Sequence, residues 1–355
     1  MPVVHDLLGS TLPIIQAPMA GVQGHALAAA VHGAGGLGSI PCAMLTPDGL
    51  RQELQTLSAL VGTAFNVNFF CHQPPTPDAA RDAIWRAALA PYHAEFGIDP
   101  ASIGAGAGRA PFSAEIADIV EPFKPRVVSF HFGLPEPALL ARVKGWGAKV
   151  LSSATTVDEA RWLEAHGVDA VIAQGLEAGG HRGHFLSHDL SEQMGTMALL
   201  PQVVQAVKVP VIAAGGIADA AGVAAALALG ATAVQVGTAY LLCAEATTSA
   251  IHRAALQSEA ARHTALTNLF TGRPARGIVN RVMQELGALS PSAPAFPLAT
   301  AAMAPLRARA EAQGSGDFSP LWSGQNASGC QAIDAASLTR QLAMGVLPAR
   351  GGELR

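Results

Sequence analysis

The chain has 355 residues, with 22 Lys plus Arg against 26 Asp plus Glu for a formal net charge of −4; half of its residues are hydrophobic and 14% are charged. This composition excludes a disordered or solvated tail protein and fits one large domain or two modest ones around a sizeable core. With no block of like charge, it also argues against nucleic acid or an anionic membrane as the main partner.

Taken in chain order, short apolar or β-branched runs recur, each followed by a turn and an Ala/Leu-rich helical pattern. Strands are predicted over residues 13–17, 36–40, 65–70, 126–132, 149–152, 170–174, 209–213 and 233–236. Helices are predicted over 24–33, 47–60, 135–145, 157–167 and 218–229, several of them ending at Gly, where a left-handed cap is wanted. Eight strands with helical crossovers imply a parallel sheet and favour a (β/α)8 TIM barrel, with an open doubly wound sheet as the alternative. Residues 72–125 are too long for one crossover helix, and Pro74, Pro75 and Pro77 open this insertion. The expected organisation is a barrel over 1–250, interrupted at about 72–125, and a mainly helical region over 251–355 that packs with the insertion as a smaller cap domain.

The uncharged stretch 220–244 is long enough for a membrane span, but Gly222, Gly230 and Gly237 break it into helix, turn, strand and turn. The first ten residues lack a basic start followed by an apolar run, so no signal peptide is expected. Cys42, Cys71, Cys243 and Cys330 form no close pair, which suggests neither a disulfide framework nor a zinc ribbon. No His/Asp/Glu cluster has metal-ligand spacing, so no metal is expected. A cytoplasmic protein without membrane attachment is the expectation.

In a barrel, active groups gather at the carboxyl ends of the strands. The first strand runs into Ala17, Pro18 and Met19, and the third carries Asn66 and Asn68 on one face. The fourth ends at His131, the sixth at Gln174 followed by Gly179, Gly180, His181 and Arg182, the seventh at Gly215-Gly216, and the eighth at Gln235-Val236-Gly237-Thr238. The glycine pairs after the last two strands leave backbone N–H groups uncovered beside a helix N-terminus, which suits a phosphate, although glycines also serve tight turns. Asn68 and Gln174 offer amides that can bond a planar heterocycle or, equally, satisfy loop backbone. Of the 12 histidines, His181 is the candidate base, because it lies in a glycine-rich loop and imidazole titrates in the working range of a proton acceptor. His131 is read as pocket lining or core, His184 and His188 as lid residues, and His252 among the surface or structural ones.

The run Pro13-Ile14-Ile15-Gln16-Ala17-Pro18-Met19-Ala20-Gly21, together with Gln174-Gly175-Leu176-Glu177-Ala178-Gly179-Gly180-His181-Arg182-Gly183, resembles the nitronate monooxygenases, formerly 2-nitropropane dioxygenases. Ser129-Phe130-His131-Phe132-Gly133-Leu134-Pro135 and Thr271-Gly272-Arg273-Pro274-Ala275-Arg276-Gly277 resemble the bacterial and fungal first class of that family. Leu321-Trp322-Ser323-Gly324-Gln325 is similar to a late element of the same class, with Ser323 standing where the class has Ala. The resemblance covers nearly the whole chain.

It implies an FMN-dependent enzyme that oxidises alkyl nitronates with O2, releasing nitrite or nitrate and an oxo-acid or aldehyde, with propionate 3-nitronate as the expected toxin detoxified. Asn68, Gln174, Gly179 and Gly216 would contact FMN, with Gly180, Gly215, Ala17, Pro18 and Met19 in the same cofactor shell. Gln235, Val236, Gly237 and Thr238 would hold its phosphate end, and His181 would be the catalytic base for neutral nitroalkanes. His131 would line the substrate pocket. The anionic nitronate needs a positive or donor-rich pocket, for which protonated His181 or Arg182 is the expected source. The expected partners are the nitronate and O2, and a homodimer is a candidate assembly. Two alternatives stay open at this point: an FMN-dependent NAD(P)H:quinone or enoyl reductase, and a flavin-binding protein without catalysis.

Overall fold

The computed structural model describes residues 2–104 and 109–346. Its main sheet holds eight parallel strands: β1 Ile14–Gln16, β2 Ser39–Pro41, β3 Asn66–Phe70, β4 Val127–His131, β5 Lys149–Ala154, β6 Ala170–Gln174, β7 Val211–Ala214 and β8 Ala233–Val236. They run in the order β1-β8-β7-β6-β5-β4-β3-β2. Leu37 closes the ring: its N–H donates to the Ile14 carbonyl (2.8 Å) and its carbonyl accepts from Gln16 N–H (2.9 Å). The fold is therefore a TIM barrel rather than an open sheet.

Side chains alternate across each strand, and this pleat sorts the core into two layers. Val127, Leu151, Ala170, Ile172, Ile212 and Ala233 point inward, and Val4, Leu7 and Leu8 of the N-terminal helix Pro2–Leu8 plug the amino end of the barrel beneath them. Their neighbours, such as Val128, Val150, Val171, Ala213 and Val234, point outward against the ring of helices. The stretch 220–244 resolves into the helix Ala220–Ala228, β8 and the 3-10 turn Thr238–Leu242, and no helix among the described residues is long and apolar enough to cross a membrane.

The insertion divides between two places. Its helix Ala79–Glu95 leaves the barrel and packs on the helix Thr300–Ala312, around a core of Trp85, Leu89, Phe270, Met303 and Phe318. Its helix Ala114–Val120 stays in the outer ring against the helix Pro47–Val61. The C-terminal region likewise divides, because the helix Ala335–Ala343 returns to the barrel and packs on His25–Gly33 and Ala220–Ala228. Residues 347–355, which fall in the expected C-terminal region, lie outside the described residues.

The cap also contains a β ribbon that a mainly helical expectation omits. Strands β9 Thr264–Thr267 and β10 Ala275–Ile278 pair antiparallel, and β10 pairs in turn with the two-residue strand Gly180–His181 from the loop after β6. A strand of two residues has no periodicity to read in sequence, and its partner lies about ninety positions away.

Candidate active site

Since all eight barrel strands run the same way, their carboxyl ends open on one mouth, where a cavity of about 290 Å³ lies. The inward positions of the pleat bring Asn68, His131, Gln174 and Gln235 to its wall, and the loop after β1 adds Ala17, Pro18 and Met19. Gly179, Gly180 and His181 enter from the loop after β6, and Gly215, Gly216, Gly237 and Thr238 from the loops after β7 and β8. Val236 stands apart. As the outward neighbour of Gln235 it is 1% exposed and packs with Val234 between strand and helix, and its carbonyl accepts from Ala17 N–H (2.7 Å). Asn66 is also buried away from the wall, donating to Ser39 Oγ (3.0 Å).

The loops after β7 and β8 have the features of an anion seat. Among the described residues, the amides of Gly215, Gly216 and Gly237 donate no hydrogen bond. Gly215 and Gly216 have φ of +117° and +74°, a region that side-chain-bearing residues rarely enter. The neighbouring α-helix ends are not part of this seat, although Gly237 stands at the N-cap of the 3-10 turn Thr238–Leu242. Glu177 already accepts from Thr196 N–H and Oγ at the start of the helix Thr196–Ala206, and Asp219 caps the helix Ala220–Ala228. The seat is therefore made of loop amides. The cap closes over it: Asn326 Nδ2 donates to the Gly216 carbonyl (3.0 Å) and Gly324 N–H to Thr238 Oγ1 (2.9 Å). Gly179 permits this approach, since a Cβ there would meet the backbone of Ser323 and Gly324.

The amides predicted to meet a heterocycle are partly committed to protein. Gln174 bridges the following loop, donating from Nε2 to the His181 carbonyl (3.0 Å) and accepting at Oε1 from Gly183 N–H (2.8 Å). Asn68 donates to Ser129 Oγ (2.9 Å). His131 Nε2 meets the same His181 carbonyl at 3.1 Å; since a carbonyl only accepts, Nε2 carries the proton and Nδ1 accepts from Ser153 Oγ (3.0 Å). Burial, with Arg273 and Arg182 nearby, pushes His131 down to about 3, so it is a neutral support. Two donors thus pin the backbone of the candidate base.

The His181 ring is half-buried among Phe70, Phe132, Phe296 and Trp322, with ring centroids 5.4–6.1 Å away. Its Nε2 lies 3.0 Å from Thr271 Oγ1. Burial first, then the charges of Arg109 and Arg273 and the nearby His131 and His184, hold it well below the ordinary histidine range. Both effects favour the neutral imidazole and work against the positive charge expected of it.

Arg182 does not supply it either. Fully buried, it donates to Gln193 Oε1 (2.8 Å) and to the carbonyls of Gly175 (2.7 Å) and Gln174 (2.8 Å), away from the cavity. Strand pairing is the reason: residues 181 and 182 point to opposite sides of the ribbon. His184, read as a lid residue, is 2% exposed, and its carbonyl accepts from Arg273.

Three basic side chains that do reach the cavity wall, two arginines and a histidine, are ones the sequence did not single out. Arg109, from the insertion, lines the cavity with one guanidinium nitrogen buried and unpartnered among the described residues. Arg307, from the helix Thr300–Ala312, also lines it, paired with Glu311 (2.7 Å). His252, given a structural reading, lines the wall too, 5% exposed and with Nε2 unpartnered among the described residues. None of the three lies in a recognisable motif. Trp322 was visible as part of the late element, and Ser323 beside it is buried with its hydroxyl donating to the Gly324 carbonyl (3.0 Å).

A family model described as nitronate monooxygenase matches residues 2–345. A protein named nitronate monooxygenase from Paraburkholderia phytofirmans is 43% identical over 351 residues, covering 95% of this chain and 92% of its own. One of the same name from Pseudomonas aeruginosa is 42% identical over 350 residues, covering 95% and 96%. Among solved structures, nitroalkane oxidase from Streptomyces ansochromogenes superposes with a TM-score of 0.87 at 40% identity over 96% of each chain. FabK from Thermotoga maritima superposes at 0.71 and 29% identity, covering 96% of this chain and 94% of its own. These likenesses do not favour the reductase alternative.

Proposed function

The chain belongs to the nitronate monooxygenase family, and from that premise we propose that FMN is its flavin, that the amides after β7 and β8 hold the FMN phosphate, and that His181 is the base for neutral nitroalkanes. The observation that carries this reading is the convergence, on one barrel mouth, of three backbone amides that donate no hydrogen bond among the described residues with His181, whose backbone carbonyl is pinned by two donors and whose ring is biased toward its neutral form. Asn68 and Gln174 would face the ring system, with Ala17, Pro18, Met19, Gly179 and Gly180 forming the wall around it. When bound, the flavin supplies electron transfer between the nitronate and O2.

The chain's own part is to bind, to orient and to move one proton. The field of Arg109 and Arg273 that disfavours an imidazolium at 181 is the same field that favours an anion in the cavity, so a preformed nitronate is the better-matched substrate. With a neutral nitroalkane, the proton taken by His181 and the nitronate left behind form an ion pair whose negative partner offsets the arginines. The aromatic walls limit water around that pair. Propionate 3-nitronate is the proposed physiological substrate, in a cytoplasmic setting.

Anaerobic mixing of the FMN-loaded protein with propionate 3-nitronate, followed by its visible spectrum, tests this reading. The expected result is a changed flavin spectrum, with nitrite or nitrate formed once air is admitted. A flavin unmoved by nitronate but bleached by NADPH would overturn it.

A further inference from the structure

We propose that Thr271 is a positioning residue that holds His181 in the tautomer with the proton on Nε2, leaving Nδ1 as the atom that accepts the substrate proton; this rests on the reading of His181 as the base. Thr271 is 3% exposed and sits in the turn between β9 and β10. Its Oγ1 lies 3.0 Å from His181 Nε2 and 3.4 Å from the Arg273 carbonyl. A hydroxyl has one hydrogen to give, and the carbonyl can only accept. With the hydrogen directed to Arg273, the oxygen's lone pair faces Nε2, and Nε2 must be the N–H.

Nδ1 makes no hydrogen bond among the described residues and is not one of the sealed-off polar atoms, while the ring lines the cavity. It is therefore the nitrogen open to a ligand. The opposite hydroxyl orientation would put the imidazole proton on Nδ1, and the only basic lone pair would then face Thr271.

The chosen orientation needs no rearrangement during proton transfer. The Cα–H bond of the nitroalkane breaks, its proton goes to Nδ1, and its electron pair stays with the substrate as the nitronate. Nε2–H donates to Thr271 before and after, and a neighbour that already accepts from the imidazole in both states is preorganised. The ribbon sets the spacing, since Ala275 pairs with His181 while Gly272 N–H donates to the Asn268 carbonyl (2.7 Å) across the turn. The groups that act electrostatically on His181 are Arg109, Arg273, His131 and His184, and a change at 271 removes none of them.

Thr271→Val keeps the shape and removes the acceptor, whereas Thr271→Ser restores it. In FMN-loaded protein, T271V is expected to lower kcat/KM for neutral nitroethane by about 10-fold or more while sparing ethylnitronate, and T271S to stay near wild type. ¹⁵N NMR of histidine-labelled protein without substrate gives a second readout: wild type should show His181 protonated at Nε2, and T271V a mixture of tautomers. A wild-type His181 protonated at Nδ1 would overturn the proposal, as would T271V slowing both substrates equally or T271S failing as T271V does. Failure of the base reading itself has a separate signature, unchanged nitroethane turnover in His181→Asn, which leaves the NMR assignment standing.

Discussion

Valine, isoleucine, leucine and alanine alone form the hydrophobic cluster in the interior of the barrel, with Phe65, Phe69 and Phe130 in the layer outside it, whereas Trp85, Tyr92, Phe270 and Phe318 with Met283 and Met303 join the aliphatic residues of the cap. The two regions contribute differently to the cavity. The barrel presents strand-end side chains such as Asn68, Gln174 and Gln235 together with the loop backbone of Gly215, Gly216 and Gly237, whose amides donate no hydrogen bond among the described residues. The cap presents side chains: Trp322, Arg109 and Arg307 reach the cavity, with Thr271 behind His181, on turns and helices that the barrel does not dictate. His181 belongs to both, because it sits on a barrel loop but is paired to a cap strand. Damage to the barrel mouth should therefore act on cofactor retention, and damage to the cap on turnover.

The sharpest way to break that division is His181→Asn. The flavin should stay bound while kcat/KM on neutral nitroalkanes falls roughly 10²- to 10⁴-fold, with nitronates less affected. Loss of flavin from this variant, seen as a colourless purified protein, would mean that the residue belongs to the cofactor seat.

Trp85→Ala attacks the cap core alone. Trp85 is 1% exposed, and truncating a buried aromatic of this size costs about 3–5 kcal/mol. Thermal unfolding should show an earlier transition, and flavin binding should persist below it. A single transition that moves together with flavin release would show that the two regions unfold as one.

Gly216→Val addresses the barrel side. A β-branched residue forced to φ of +74° costs on the order of 1–3 kcal/mol. Flavin affinity, measured by fluorescence titration, should weaken about 10-fold or more while the circular dichroism spectrum is kept. Unaltered affinity would exclude this loop as the phosphate seat.

Both regions share a pH slope in stability. His131 and His184 are held down to about 3, and His72 and His252 to about 4, each chiefly by burial. The unfolded chain then binds more protons than the folded one between those values and the ordinary histidine value of about 6.5, so stability rises with pH across that window. Full stability is expected above about pH 6.5, with Tm falling as the pH drops toward 4. His184→Asn should flatten the slope by up to one proton's share, about 1.4 kcal/mol per pH unit. An unchanged slope in that variant would indicate that His184 titrates normally.

Much of this protein is legible in its sequence. The alternation of strand and helix patterns marks all eight barrel strands within a few residues, because pleat and helix impose periods of 2 and 3.6 on whatever sequence forms them. The glycine loops and His181 are likewise visible, since strand ends and glycines are local signals. What local signals cannot carry is the direction of a side chain after a long-range pairing. Arg182 lies next to His181 in sequence yet points into a cluster of carbonyls, because β10 pairs with the loop and turns successive residues to opposite sides. Val236 is turned outward by the same alternation that brings Gln235 to the cavity. Thr271 reaches His181 across 90 positions, and Arg109 reaches the cavity from an insertion without a motif. Periodicity and glycine placement thus set the barrel and its mouth from the sequence alone. The charge in the cavity and the tautomer of its histidine are set by contacts between distant segments, which exist only once the cap has closed on the barrel.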